Sequence, residues 1–470
     1  MSGTADGQGE YQSYPFTGNG STGFPDAPAV LRSYLQHPAL EILAIDQTEA
    51  MPETNTFFAT VVGDTASWDI GIDRTDTIRE ATKLAATHDI SDIDACDGVL
   101  LCRVGDEREA DLVITNRGWL LTEREDPRRR LPPNLVSPAE ALAIIGLCLR
   151  WHRHPVIIGG APTSWHPTSM RRSAAYITMP AFERWNQAGR ACYEATQADL
   201  TLENLNKTLL TRISRAFQFR DAIFALSATM TDYEPEEMLC ELDSLLFSLV
   251  GAFDVAARIV DALMNFASKA RSIGWQHRTN GGWQQRLEIP AKDLFDHTKE
   301  GSEIQLTFQV LRWLRNSVHD EALDLTRDNG VYYVVAEAGT QSDLREFLRT
   351  GHPGWTTSSL GIKIQPPGGV TRGKWLPGVG RYTVNAQRTG APRPADPLDG
   401  SLVFDVRGLV NRLFPECLRS LDTIMKLAPL TQVPGYRPAL DSPPRGGLPW
   451  NFSDTTGHRL RMLYGVTELP

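Results

Sequence analysis

The chain has 470 residues, 41% of them hydrophobic, and a formal net charge of -10. Such a composition excludes a fibrous or fully disordered protein and leaves room for about two to four domains. The acidic balance argues against a broadly polyanion-binding protein, because non-specific affinity for nucleic acid comes from a basic surface that releases counterions. The charge is uneven, however: from Pro366 to Pro470 there are 13 Lys/Arg against 8 Asp/Glu.

The six cysteines, Cys96, Cys102, Cys148, Cys192, Cys240 and Cys417, show no paired spacing and stand mostly in apolar surroundings. They read as reduced thiols with no disulfides, which favours a cytoplasmic setting. The longest strongly apolar run, Ala141 to Leu149, falls far short of the ~18 residues of a membrane span, and the N-terminus lacks a basic-then-apolar signal. No membrane partner is expected.

In chain order, residues 1–28 are Gly, Ser, Thr and Asp with isolated aromatics and read as a disordered tail. Residues 29–122 read as a small α/β domain, with helices at Ala29–Leu43 and Thr77–Thr87 and strands at Thr56–Val62, Gly98–Val104 and Leu112–Thr122. Within it Asp64, Asp69 and Asp73 sit near glycines, but Asp64 stands where a nucleotidyltransferase needs serine, and the aspartates are spaced too widely to share two metal ions. They read as loop carboxylates. Residues 123–136 form a charged, Pro-rich linker.

Residues 137–200 read as a helical segment. Ser137 with Glu140 makes a capping box, Pro138 suits the first helical position, and the helix that follows is apolar on nearly every side and therefore buried. His152, His154 and His166 lack a carboxylate or thiol at ligand spacing, so no metal site is expected. Residues 201–330 read as a helical bundle: Thr201–Met230, Glu236–Ala270, a polar Gly-Gly loop at Arg278–Gln285, a short helix at Ala291–His297, and a last helix opened by Ser302 and Gln305 and closed by Asn329-Gly330. Residues 331–428 read as an α/β extension with strands at Val331–Ala336, Leu360–Ile364 and Ser401–Val406. Its helices are Ser342–Leu348 and Leu409–Leu427, the latter packing back on the bundle. Gly368 to Lys374 matches the glycine and lysine spacing of a phosphate-binding loop, but Trp375 replaces the hydroxyl residue and Pro377 follows where a helix must begin. Residues 429–470 read as an irregular wrap. The fold class is mainly α with α+β flanks.

The last bundle helix carries the residues that bear on function. Its stripe runs through Ile304, Phe308, Leu311, Leu314, Val318, Ala322 and Leu325, and Arg315 falls inside that apolar arc with His319 one turn on. A guanidinium there needs a partner, a cleft or a ligand, because burying an unpaired charge is costly.

Arg315-Asn316-x-x-His319 near the end of the last long helix of a bundle resembles the HEPN superfamily, over about residues 201–330. The resemblance implies an all-helical, often dimeric domain, with a homodimer formed through this helix and no cofactor or metal. In many of its members an Arg and a His from this helix form a metal-independent ribonuclease site. RNA would then be cleaved by attack of the ribose 2′-hydroxyl on the adjacent phosphate. His319 would move the proton, Arg315 would grip the phosphate, Asn316 would orient one or the other, and Asp254 or Glu241 of the preceding long helix would hold Arg315 in place. Only three residues separate Arg315 from His319, fewer than the family's usual spacing. With the acidic balance, that spacing favours a non-catalytic interaction or ligand-binding module over a defence or stress-type ribonuclease.

Overall fold

The computed structural model describes residues 27–32, 40, 44–62, 66–123, 135–154, 156–157, 164–196, 200–229, 235–320, 324–328, 331–335, 338–349, 362–365, 372–376, 380–384, 401–437 and 454–464. The chain is mainly helical, with fifteen helices among these residues and strands at either flank. It divides into two compact units, Met1–Ser164 with Arg461–Glu468, and Trp165–Leu460 with Leu469–Pro470. The division falls inside the stretch 137–200 that reads as one helical segment.

The first unit begins with α1 (Ala27–Arg32), which starts two residues inside the expected tail; the rest of that tail lies outside the described residues. Strands β1 (Ala44–Met51), β2 (Thr56–Val62) and β3 (Ser67–Asp73) form an antiparallel meander, Thr56 lying opposite both Met51 and Asp73. Ala59, Val61 and Ile72 of the sheet meet Leu100 and Val104 in one core. Helix α2 (Arg74–His88) is capped by the Asp73 carboxylate, which accepts from the Asp76 amide at 2.7 Å, while Asp69 accepts from the Thr60 hydroxyl at 2.8 Å. Both aspartates thus have local structural work.

The expected strand at Gly98–Val104 is instead part of helix α3 (Asp92–Glu107). Ser91 caps it, accepting from the Asp94 amide at 3.1 Å, and Gly98 and Gly105 are the places where Trp119 and Val113 approach the helix too closely for a Cβ. The two glycines serve close packing. The expected strand at Leu112–Thr122 shrinks to β4 (Val113–Ile114) followed by α4 (Gly118–Glu123), β4 pairing in parallel with β5 (Leu135–Val136). Helix α5 (Pro138–Trp151) has the full capping box, with Glu140 Oε2 accepting from the Ser137 amide at 2.7 Å. Only Trp151, at its end, is exposed among its large apolar residues. Short strands β6 (Val156–Ile157) and β7 (Ser164–Trp165) follow.

In the second unit α6 (Pro167–Thr178) and α7 (Phe182–Thr196) lead into two long helices, α8 (Thr201–Thr229) and α9 (Pro235–Leu263). The stretch Arg278–Gln285 is not a loop but helix α10 (His277–Gln285), because one tryptophan just before it and one within it anchor it. Trp275 donates to the Phe253 carbonyl at 2.9 Å, Trp283 donates to the Asp261 carboxylate at 2.9 Å, and the two indoles meet edge to face at 5.3 Å. Helix α11 (Lys292–Thr298) precedes a turn through Gly301, whose φ of 78° suits glycine, and Gln305 Oε1 accepts from the Gly301 amide at 3.2 Å.

Helix α12 (Glu303–Asp320) bears the Arg-Asn-x-x-His motif and packs on α9: Phe308 meets Phe253 at 5.2 Å and Arg315 lies over Phe247 at 4.7 Å, so the two helices run antiparallel. It ends at Asp320, earlier than the stripe to Leu325 suggests. Strands β8 (Asp324–Asp328) and β9 (Val331–Val335) then pair antiparallel, so the all-helical reading of 201–330 fails at its last residues. Asn329 and Gly330 themselves lie outside the described residues. Helix α13 (Ala338–Arg349) lays Phe347 against Trp313.

Strands β10 (Ile362–Gln365), β11 (Arg372–Leu376), β12 (Gly380–Val384) and β13 (Ser401–Asp405) join β8 and β9 in one six-stranded mixed sheet, ordered β11-β12-β10-β13-β9-β8. Lys374 and Trp375 lie in a strand there, not at the start of a helix. Helix α14 (Val406–Leu427) packs on α8, α9 and α12; its Leu409, Leu413, Phe414, Leu418 and Leu421 are buried, and Phe414 meets Phe217 of α8 edge to face at 4.9 Å. The C-terminal stretch is not wholly irregular, since α15 (Asp454–Tyr464) closes it with Met462, Leu463 and Tyr464 buried.

Candidate anion-binding site

The long helix α9 supplies one stripe of this site: Phe247, Gly251, Asp254 and Arg258 recur at three- and four-residue steps and so share a face. Gly251 breaks an otherwise apolar and charged helix, and the reason is visible from α8. A Cβ at Gly251 would lie 2.2 Å from Arg212 Nη1, so the glycine makes room for the Arg212 guanidinium to lie on the backbone of α9. From the other side, α12 brings Arg312 and Arg315. Four guanidiniums, Arg258, Arg212, Arg315 and Arg312, thereby reach the Asp254 carboxylate electrostatically.

Burial on the helix surface pushes the Asp254 carboxyl above the ordinary range, and the four arginines oppose that rise. Asp254 still reaches solvent, as does Arg258, while Arg212, Arg312 and Arg315 are half-buried. Burial, then the nearness of Arg315, hold the Arg312 guanidinium below its usual range, and Asp254 pulls the other way. None of the four arginines makes an ion pair with a carboxylate among the described residues, and the Nε atoms of Arg212 and Arg315 are buried without a hydrogen-bond partner there.

The sequence-predicted residues are distributed unevenly. Arg315 is half-buried, with its guanidinium over Phe247 and Nη1 donating to Asn316 Oδ1 at 3.4 Å. The expected ion pair to Asp254 or Glu241 is not formed: the guanidinium rests on an aromatic face, where cation–π attraction replaces part of its lost hydration. Asp254 is brought near it, whereas Glu241 stands elsewhere on α9, its carboxyl pushed up by burial and then by Glu237. His319 lies in the last turn of α12, and its side chain is outside the described residues. Arg212, Arg258, Arg312 and Phe247 were not singled out from sequence. The one available signal was Gly251, since a glycine in a helix interior costs stability and often marks a close approach.

Elsewhere the chemistry-bearing residues are spent on structure. His166 Nδ1 caps α6, accepting from the Thr168 amide at 3.3 Å, and His152 and His154 are exposed. Among the described residues no group of three or more His, Cys, Asp or Glu side chains is placed to hold a metal ion, and no helix is long and apolar enough to cross a membrane. All six cysteines are free thiols; Cys240 is exposed, and burial pushes the Cys102 thiol up to about 12. A comparison with known protein families, curated proteins and solved structures finds no match for this chain.

Proposed function

We propose that this protein is a ligand-binding module whose receptor site is the arginine cluster of α8, α9 and α12, and that its ligand carries phosphate. The observation that carries the reading is the set of four guanidiniums around Asp254 with no ion pair among the described residues. Arginines that serve the fold are ordinarily matched by carboxylates or carbonyls, and planar guanidiniums left over at an accessible surface suit the bidentate recognition of phosphate. The test is calorimetric titration of sulfate and of a short single-stranded RNA into wild type and Arg315→Ala. Saturable binding that Arg315→Ala weakens supports the reading; heats indistinguishable from buffer with both ligands refute it.

Pairing with a second copy through the motif helix belongs to the same proposal in a weaker form, because α9, α11, α13 and α14 already pack on that helix. Light scattering across a hundredfold concentration range decides it: a mass that stays at one chain removes the homodimer and leaves the ligand site.

The second reading is a HEPN-like, metal-independent ribonuclease. Two observations favour it: Arg315 is not taken up by a carboxylate, and His319 follows it by one turn on a helix that continues to Asp320. Losing a general acid or base costs about 10² to 10⁴ in rate, so His319→Ala is expected to abolish cleavage of single-stranded RNA in chelator. Equal cleavage by wild type and His319→Ala ends this reading.

A further inference from the structure

Helix α9 meets solvent along one narrow line: between Leu242 and Val260 its exposed residues are Phe247, Asp254 and Arg258 alone. Two guanidiniums lie on that line. From α8, Arg212 lies on Gly251, its Nη1, Cζ and Nε 2.2, 2.5 and 2.9 Å from the place a Cβ would take there. From α12, Arg315 lies over the Phe247 ring, its Cζ 4.7 Å from the ring centroid. Phe247 and Gly251 are one turn apart on the same face, about 6 Å along the axis at 1.5 Å per residue. Two cations and an aromatic ring therefore stand within a turn of one another. Phe247 is 41% exposed, the one exposed phenylalanine among the described residues. Cation–π contact with Arg315 accounts for the covered part of the ring. The part left to water, midway along a helix that is otherwise mostly buried, is a flat apolar surface suited to a second flat group.

Resting on the anion-binding reading above, we infer that the ligand is a nucleoside 5′-phosphate unit, and that Phe247 is the residue that selects it over a bare phosphate. The phosphate lies against Arg212 and Arg315, whose planar guanidiniums match its oxygens. The base stacks on the open part of Phe247. A nucleotide joins a charged phosphate to a flat base through one ribose, and a guanidinium pair beside a ring one turn away presents the complement of both. Stacking of this kind tolerates any base, because every base has a π-face, so Phe247 selects for a base and not for one particular base. The unit is either a free nucleotide or a residue of single-stranded RNA, and the chemistry at the site is the same for both.

The experiment titrates the full chain with ribose 5-phosphate, adenosine 5′-monophosphate and a short oligoadenylate. Adenosine monophosphate is expected to bind about fivefold or more tightly than ribose 5-phosphate, the gain of one base stacked on an aromatic side chain. Phe247→Leu keeps apolar volume and removes the π-face, and is expected to bring that ratio close to one; Phe247→Trp is expected to keep it, which serves as the test if the leucine variant fails to fold. An oligomer that binds more tightly than the mononucleotide assigns the unit to RNA, and one that binds less tightly assigns it to a free nucleotide; both support the inference. Equal affinity of wild type for adenosine monophosphate and ribose 5-phosphate overturns it while leaving the anion site standing, as does a ratio unchanged in a folded Phe247→Leu or lost in a folded Phe247→Trp. No binding of any probe overturns both.

Discussion

Two carboxylates of the helical unit are surrounded by arginines, and they are satisfied in opposite ways. Glu416, buried on α14, forms an ion pair with Arg412 at 3.2 Å and accepts from Arg419 at 2.6 Å, each one turn away on the same helix. Asp254, exposed on α9, has four arginines from three helices around it and an ion pair with none of them among the described residues. In the first unit Arg150 follows the pattern of Glu416: it is 1% exposed, donates to the Leu463 carbonyl at 2.6 Å and stacks on Tyr464 at 3.8 Å. The contrast separates arginines that hold the fold from arginines without an ion pair among the described residues, and a mutation's effect on stability tells the two apart.

The largest effect is expected at Arg150. Its replacement by Ala leaves a void against Tyr464 and removes the donor to Leu463, which together cost about 3 kcal/mol or more. A urea midpoint unchanged from wild type would place Arg150 outside the group of structural arginines. Next comes Glu416→Ala, expected to cost about 1–2 kcal/mol, less than a fully buried pair because both arginine side chains are 35% exposed. At Asp254 the expectation reverses: Arg312→Ala should change stability by no more than about 0.5 kcal/mol, in the range of ordinary surface substitutions, since no pair is broken and repulsion from Arg315 is relieved. A loss as large as that of Glu416→Ala would erase the distinction.

These residues were not equally legible in the sequence. The long helices, the α5 capping box and the packing of α14 on the bundle follow from apolar stripes and caps, because periodicity reports which face is buried. Arg315 stood out for the same reason, as a charge on an apolar arc. Its neighbours Arg212 and Arg258 did not, because convergence of side chains from separate helices leaves no trace in the spacing of any one of them. Gly251 was the one local clue. Elsewhere the signals were present and misassigned. Asn329-Gly330 reads as a helix end from the preceding stripe, although Asn-Gly is also a strong hairpin signal and β8 and β9 pair on either side of it. Ser91 caps α3, whereas the apolar run at Gly98–Val104 by itself reads as a strand. The helix α10 was missed because its Gly-Gly composition reads as a loop, while its order comes from Trp275 and Trp283.

The smallest expected effect is a pH dependence. The Asp254 carboxyl titrates above the ordinary range, so it takes up a proton before an unfolded Asp does as pH falls from neutrality. The charged groups facing it, Arg212 from α8, Arg258 on α9, and Arg312 and Arg315 from α12, stay cationic throughout. Protonation therefore raises the net charge of the site. Sulfate, whose own charge is constant over this interval, should bind more tightly, and the folded state should gain slightly, as pH falls through the raised pKa. Sulfate affinity in Asp254→Asn should be flat across the same interval; a slope equal to that of wild type would assign the effect to another group.

The central proposal is that the guanidiniums around Asp254, which make no ion pair with a carboxylate among the described residues, receive an anion. Anomalous diffraction from crystals grown with tungstate tests it most directly. The account predicts a tungsten peak within hydrogen-bonding distance of Arg212 and of Arg312 or Arg315, lost in crystals of the Arg212→Gln, Arg312→Gln double variant. Arginines found instead in ion pairs with carboxylates of the chain, with no tungsten at the cluster, would contradict it.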